Sequence, residues 1–185
     1  MKLFFVRHGE SADNRDGVIQ GWTNSELSEL GREQAAEIAA RLGAKNIDLI
    51  ISSDLTRARE TAEIIGAKLG REILADWRVR ERFYGDLQGQ PKSSDPDKIR
   101  HNLLMENPPF NIEPPAKMCE RLKSFAGSLN YFRGQYNSVT IISHGCIINA
   151  LRHNLDPKFV WEKIANGEIV EMDLDEIMEK LEVKK

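Results

Sequence analysis

The chain predicts an α/β fold in three layers, with a mainly parallel central sheet flanked by helices. Three observations carry that expectation. Short apolar runs recur near residues 2–6, 47–54 and 138–145, the pattern of strands buried on both faces. Amphipathic stretches of helical period lie between them. Strands that alternate with helices call for crossover connections and hence for parallel pairing.

The elements follow in order. Residues 2–6 read as a buried strand, closed by Gly9. After a loop rich in Asn, Asp and Gly, "SELGREQAAEIAARLGAKN" reads as a helix. Ser28 is its N-cap, Ala36, Ile38, Ala39 and Leu42 form its apolar stripe, and Gly43 stops it. "IDLIISSD" is a second strand, and Asp54 is placed to cap the helix "LTRARETAEIIGAKLG". "EILADWRV" predicts a third strand. From Glu81 to Pro115 the chain carries Gly85, Gly89, Pro91, Pro96, Pro108, Pro109, Pro114 and Pro115. That density predicts loops around a short helix near 97–105. It forms an insertion at about 83–115 within one domain spanning 1–185. A helix at 116–132, a strand at 138–145, a helix from near Cys146, a strand at 168–174 and a charged terminal helix complete the chain. No internal repeat or low-complexity tract interrupts it.

The net charge of -3 recruits neither nucleic acid nor an anionic membrane by global attraction. An anionic ligand must be held by local positive charge. Cys119 and Cys146 stand far apart without metal-ligand spacing, which suits a reducing cytoplasm better than a disulfide scaffold. The opening "MKLFFV" is too short an apolar run for a signal peptide or a spanning helix. A soluble, cytoplasmic protein is expected.

Two of the strands end alike, "LFFVRHG" and "VTIISHG". In open parallel sheets ligands bind outside the carboxyl ends of the strands, so His8 and His144 are expected at one rim. The strand "LIISSD" ends there too and leads into "LTRARET", with Arg57 and Arg59 on the first turns of a helix. Gly9 and Gly145 would allow a tight turn and a close ligand approach. A lone strand-end histidine usually packs or caps, and His101 and His153 are read in that ordinary way. The convergence of two His-Gly ends with an arginine calls for more. Metal binding is not expected, because Arg7 beside His8 repels a cation and zinc wants three or four protein ligands. Arginine suits phosphate, whose oxygens its planar fork matches. A neutral imidazole can attack phosphorus, and arginines can neutralise the transferring group without magnesium. A carboxyl must still protonate the leaving oxygen, and the charge run around Glu81 does not single it out.

"VRHGES", "SSDLTRARETAEII", "RERFYGDLQG" and "ISHG", in that order, resemble the histidine phosphatase superfamily, the phosphoglycerate-mutase-like proteins. The resemblance runs from Lys2 to about Asp173 and implies their fold. It implies that His8 is phosphorylated, that Arg7, Arg57 and His144 complete the phosphate pocket, and that Glu81 is the proton donor and later base. It further implies that Asn14 contacts phosphate and that Gln20 and Gly21 form a substrate-side turn. Arg59 falls outside the motif, on the outer helix face.

The superfamily holds phosphatases and 2,3-bisphosphoglycerate-dependent phosphoglycerate mutases. Tyr84, Leu87, Gln88, Gly89 and Lys92 in "ERFYGDLQGQPK", and Gly21-Trp22, look mutase-like. The insertion "MENPPFNIEPP" lacks the mutases' arginine pair, Cys146 stands where they usually have asparagine, and Ile112-Glu113-Pro114 keeps only the glutamate of a Gly-Glu-Ser element. A mutase must exclude water until a second hydroxyl attacks, and a short, proline-rich insertion covers the pocket poorly. A phosphatase acting on a small phosphorylated metabolite, with no cofactor required, is therefore expected first. A mutase using 2,3-bisphosphoglycerate comes second, and a non-catalytic binding or regulatory domain third. Trp22, Phe83, Tyr84 and Phe110 either line the substrate pocket or pack the insertion, and the sequence carries no mark of oligomeric state.

Overall fold

The computed structural model describes residues 1–92, 105–153 and 162–183. The helix expected near 97–105 therefore falls almost entirely outside the described residues, and His101 lies wholly outside them. Among the described residues the sheet has five strands: β1 (Lys2–Arg7), β2 (Leu49–Ser52), β3 (Ile73–Ala75), β4 (Ser138–Ser143) and β5 (Ile169–Asp173), in the order β3-β2-β4-β1-β5. Three of the four pairings are parallel, and only β1 with β5 is antiparallel.

Strand β1 shows how the three layers arise. Its side chains alternate between faces. Leu3 and Phe5 join one core cluster with Met118, Leu122 and Phe125, whereas Phe4 and Val6 join the other with Ile38, Leu42, Ala62 and Ile65. The first cluster packs beneath α4 (Pro115–Leu129), α5 (Gly145–His153) and α6 (Leu174–Lys180). The second packs beneath α2 (Glu29–Gly43) and α3 (Thr56–Leu69). A one-turn helix, α1 (Ala12–Arg15), follows β1.

Local chemistry sets most boundaries. Ser28 caps α2 as expected, its hydroxyl accepting from Gly31 N. The buried stripe runs through Ala35, Ile38, Ala39 and Leu42, with Ala35 rather than Ala36 at its start. Asp54 does not cap α3. The residue at the cap position is Leu55, Thr56 N donates to the Asn24 side chain, and the Asp54 carboxylate instead grips Arg80 at 2.6 and 2.5 Å. The third strand stops at Ala75, because the Asp76 side chain accepts from Arg78 N and turns the chain into a 3₁₀ helix, Trp77–Val79.

Candidate active site

The carboxyl ends of β1, β2 and β4 meet at one rim. Beside it lies a cavity of about 390 Å³ lined by Arg7, His8, Asn14, Val18, Ile19, Gln20, Gly21, Arg57, Glu81, Tyr84 and Lys92. His144 lies behind this wall, fully buried, with its ring centroid 5.0 Å from that of His8.

His8 is oriented by its own backbone. Its Nδ1 lies 2.6 Å from Gly9 O, a pure acceptor, so Nδ1 carries the proton. Nε2 therefore holds the lone pair, and it accepts from Arg57 Nε at 3.2 Å. Burial, then the charges of Arg57 and Arg7, press the His8 pKa well below 6.5. The ring is neutral at physiological pH. His144 obeys the same logic. Its Nδ1 faces Arg57 Nη2 at 3.3 Å and must accept, which leaves Nε2–H to donate to Ser53 Oγ at 2.9 Å. Burial and Arg57 depress its pKa likewise.

Arg57 stands in the first turn of α3 and is only 1% exposed. Besides the two imidazoles it donates to Gly21 O at 2.8 Å and Thr23 O at 2.9 Å. Burial lowers its pKa to about 10. Gly21 can present its carbonyl because it adopts φ +55°, and a Cβ there would lie 2.2 Å from Gln88 Oε1. Arg7 donates from Nη1 to Ile164 O, while its buried Nε has no acceptor among the described residues. A guanidinium N–H without a partner beside a neutral imidazole suits an anion.

Glu81 reaches the same cavity from a loop. Its Oε1 accepts from Arg82 N at 2.8 Å and its Oε2 from Cys146 N at 3.4 Å. Burial raises its pKa above the ordinary carboxylate value, despite these bonds and both arginines. Tyr84, raised well above 10 chiefly by burial, keeps its phenolic proton. Lys92 stands at the rim, its pKa lowered by partial burial and by Arg7 and Lys163. Gln20 is buried and accepts from Ser11 Oγ at 3.0 Å.

The two glycines after the histidines have different surroundings. A Cβ on Gly9 would lie 2.3 Å from Gly31 O, so this glycine lets the strand end press against α2. Gly145 opens α5 behind Arg7, where a Cβ would meet Arg7 Nε at an ordinary 3.7 Å. Among the aromatics, Tyr84 lines the cavity and Phe110 is exposed. Trp22 packs on Phe83 with ring centroids 5.3 Å apart and donates from Nε1 to Glu81 O at 2.6 Å. Arg59 lies on the outer face of α3 beside Glu63.

Several participants carry no sequence signal of their own. Ser53 orients His144. Arg121, from α4, donates to the carbonyls of Arg78, Arg80 and Glu81 and clamps the Glu113 carboxylate at 2.8 and 2.9 Å. It thereby fixes the loop that presents Glu81. Asn166 donates to His8 O at 3.0 Å and to Asn14 Oδ1 at 3.2 Å.

The fold and this rim define an α/β protein with an anion pocket at its strand ends. The chain belongs to the histidine phosphatase superfamily (branch 1), whose family model matches residues 3–183. A Schizosaccharomyces pombe protein named "Probable phosphatase C1687.21" is 33% identical over 174 residues, covering 88% of this chain and 78% of that one. A 2,3-bisphosphoglycerate-dependent phosphoglycerate mutase of Borreliella burgdorferi is 40% identical over 123 residues, 60% of this chain and 50% of that one. Among solved structures, a mycobacterial glucosyl-3-phosphoglycerate phosphatase in complex with VO3 superposes with a TM-score of 0.81 at 27% identity, covering 93% and 90% of the two chains. Among the described residues no helix is long and apolar enough to cross a membrane.

Proposed function

We propose that this protein is a phosphatase for small phosphorylated metabolites and that it works through a phosphohistidine on His8. The observation that carries the reading is the state of His8. A proton fixed on Nδ1 and a neutral, buried ring put the lone pair on Nε2, where Arg57 Nε holds it until a phosphoryl group displaces that contact. In the first step Nε2 attacks phosphorus and the ester P–O bond breaks. Glu81, whose raised pKa favours its acid form, gives its proton to the leaving oxygen. In the second step water attacks phosphorus, the Glu81 carboxylate takes its proton, the P–N bond breaks and orthophosphate leaves. Arg7, Arg57 and Asn14 hold the phosphoryl oxygens, with His144 behind them as an acceptor that orients the Arg57 guanidinium and Gly145 behind Arg7. Gln20, Gly21, Tyr84 and Lys92 form the substrate side. The superfamily's chemistry is metal-independent, and none of these steps needs a cofactor.

One observation favours the mutase as a second reading. Lys92 adds a cation at the outer end of the cavity, where a second phosphate or a carboxylate of 2,3-bisphosphoglycerate would be met. Against it, similarity to the named mutase extends over half of that protein. Phosphorus NMR with 3-phosphoglycerate, with and without catalytic bisphosphate, separates the two. Phosphate release without isomerisation supports the phosphatase, and bisphosphate-dependent 2-phosphoglycerate would establish the mutase. Unpaired Cys119 and Cys146 support a reducing cytoplasmic setting, and the net charge of -3 argues against nucleic acid or membrane as partner.

A further inference from the structure

The one antiparallel strand of the sheet has a consequence for the site. Parallel strands deliver their carboxyl ends to the rim, but β5 runs the other way and delivers the segment that precedes it. Residues 164–168 therefore pack against Arg7, His8 and Asn14 of the site. Arg7 N donates to Glu168 O at 3.0 Å and Gly167 N to Arg7 O at 3.0 Å, so this segment continues the β1–β5 ladder past its end. Ile164 O receives the Arg7 guanidinium. Asn166 sits between these contacts, with its Nδ2 shared by His8 O and Asn14 Oδ1.

That sharing decides which way the Asn14 amide points. Its Oδ1 accepts from Asn166 Nδ2 at 3.2 Å and from Ser11 N at 3.4 Å. Both partners are donors, so the oxygen is committed to them. The Nδ2 end is the one left to meet an anion in the pocket that Asn14 lines. We propose that Asn166 is a positioning residue, which holds Asn14 Oδ1 and so aims Asn14 Nδ2 at the phosphoryl group. A flipped Asn14 would turn an acceptor oxygen toward phosphate and replace attraction with repulsion. The same Asn166 amide ties this orientation to the peptide of His8, so nucleophile and ligand share one support.

This inference rests on the proposed phosphate role of Asn14, and its test separates the two. Orthovanadate binding is measured by calorimetry on the whole chain as wild type, Asn166→Ala, Asn14→Ala and the double variant, with His8→Ala assayed for turnover of p-nitrophenyl phosphate. Loss of one hydrogen bond to a charged oxygen predicts about 10-fold weaker vanadate binding by Asn166→Ala. The double variant should bind no more weakly than Asn14→Ala alone, because Asn166 acts through Asn14. Asn166→Leu, which keeps the shape but loses the donor, should match Asn166→Ala and replaces it if that variant fails to fold. Additive losses, or unchanged vanadate affinity in the Asn166 variants, would overturn the positioning role. Unchanged affinity in Asn14→Ala would overturn it too, by removing the ligand it serves. An inactive His8→Ala alongside any of these leaves the phosphatase reading standing.

Discussion

Replacing Arg57 by methionine separates function from stability at this site. Among the described residues, buried Arg57 has no hydrogen-bonded carboxylate; its partners are two carbonyls and two neutral imidazoles. The fall of its pKa from 12.5 to about 10 means that holding this charge costs the native state about 3 kcal/mol. Methionine fills similar space and removes that cost. It also strands the Gly21 and Thr23 carbonyls, at about 1–3 kcal/mol each. The two effects largely offset, so Arg57→Met should unfold in urea within about 3 kcal/mol of wild type. Turnover should fall on the order of 10³-fold, since arginine supplies much of the charge stabilisation in phosphoryl transfer. Orthophosphate gives a second readout. At 100 times its Kd it should stabilise the wild type by about 2.7 kcal/mol and the variant not at all. A variant that loses most of its stability would show Arg57 to be a structural tie. One still stabilised by phosphate would show that the anion binds elsewhere.

Three further outcomes follow from the same geometry. Because kcat/KM needs neutral His8 and protonated Glu81, its optimum should lie on the acid side of neutrality; Glu81→Gln should remove the alkaline limb in a pH–rate profile. The folded-state pKa of His144 lies well below its unfolded value near 6.5, so the unfolded chain binds the proton first and stability falls as pH drops below 6.5. That loss is about 1.4 kcal/mol per pH unit until the folded pKa is reached, and the Tm difference between wild type and His144→Asn should shrink over this range. Arg121→Met strands the buried Glu113 carboxylate and should cost about 3–5 kcal/mol in chemical denaturation, with turnover reduced through the Glu81 loop in whatever fraction stays folded.

What could be read from the sequence, and what could not, divides along physical lines. His8 and His144 were legible because buried parallel strands declare both their path and the rim where they end. Arg57 was legible because it opens the helix after a third such strand. Glu81 had no such frame. It sits among Arg78, Arg80 and Arg82, and only the superfamily motif singled it out; what distinguishes it is burial against the Cys146 amide. Arg121 looks like an ordinary charge on an amphipathic helix, yet five hydrogen bonds from its guanidinium anchor the Glu81 loop. Asn166 escaped because the rule about carboxyl ends applies to parallel strands and β5 is antiparallel. Asp54 misled, since a cap and a surface ion pair look alike in one dimension, and Arg80 lies 26 residues away.

The most direct measurement is to mix the protein with a phosphomonoester, quench within the first turnover, and map covalent phosphate by mass spectrometry at neutral and acid pH. The proposed mechanism predicts one phosphoryl group on His8, stable in base, lost in acid and absent from His8→Asn. Steady turnover with no phosphoryl-enzyme, or phosphate found on any other residue, would contradict it.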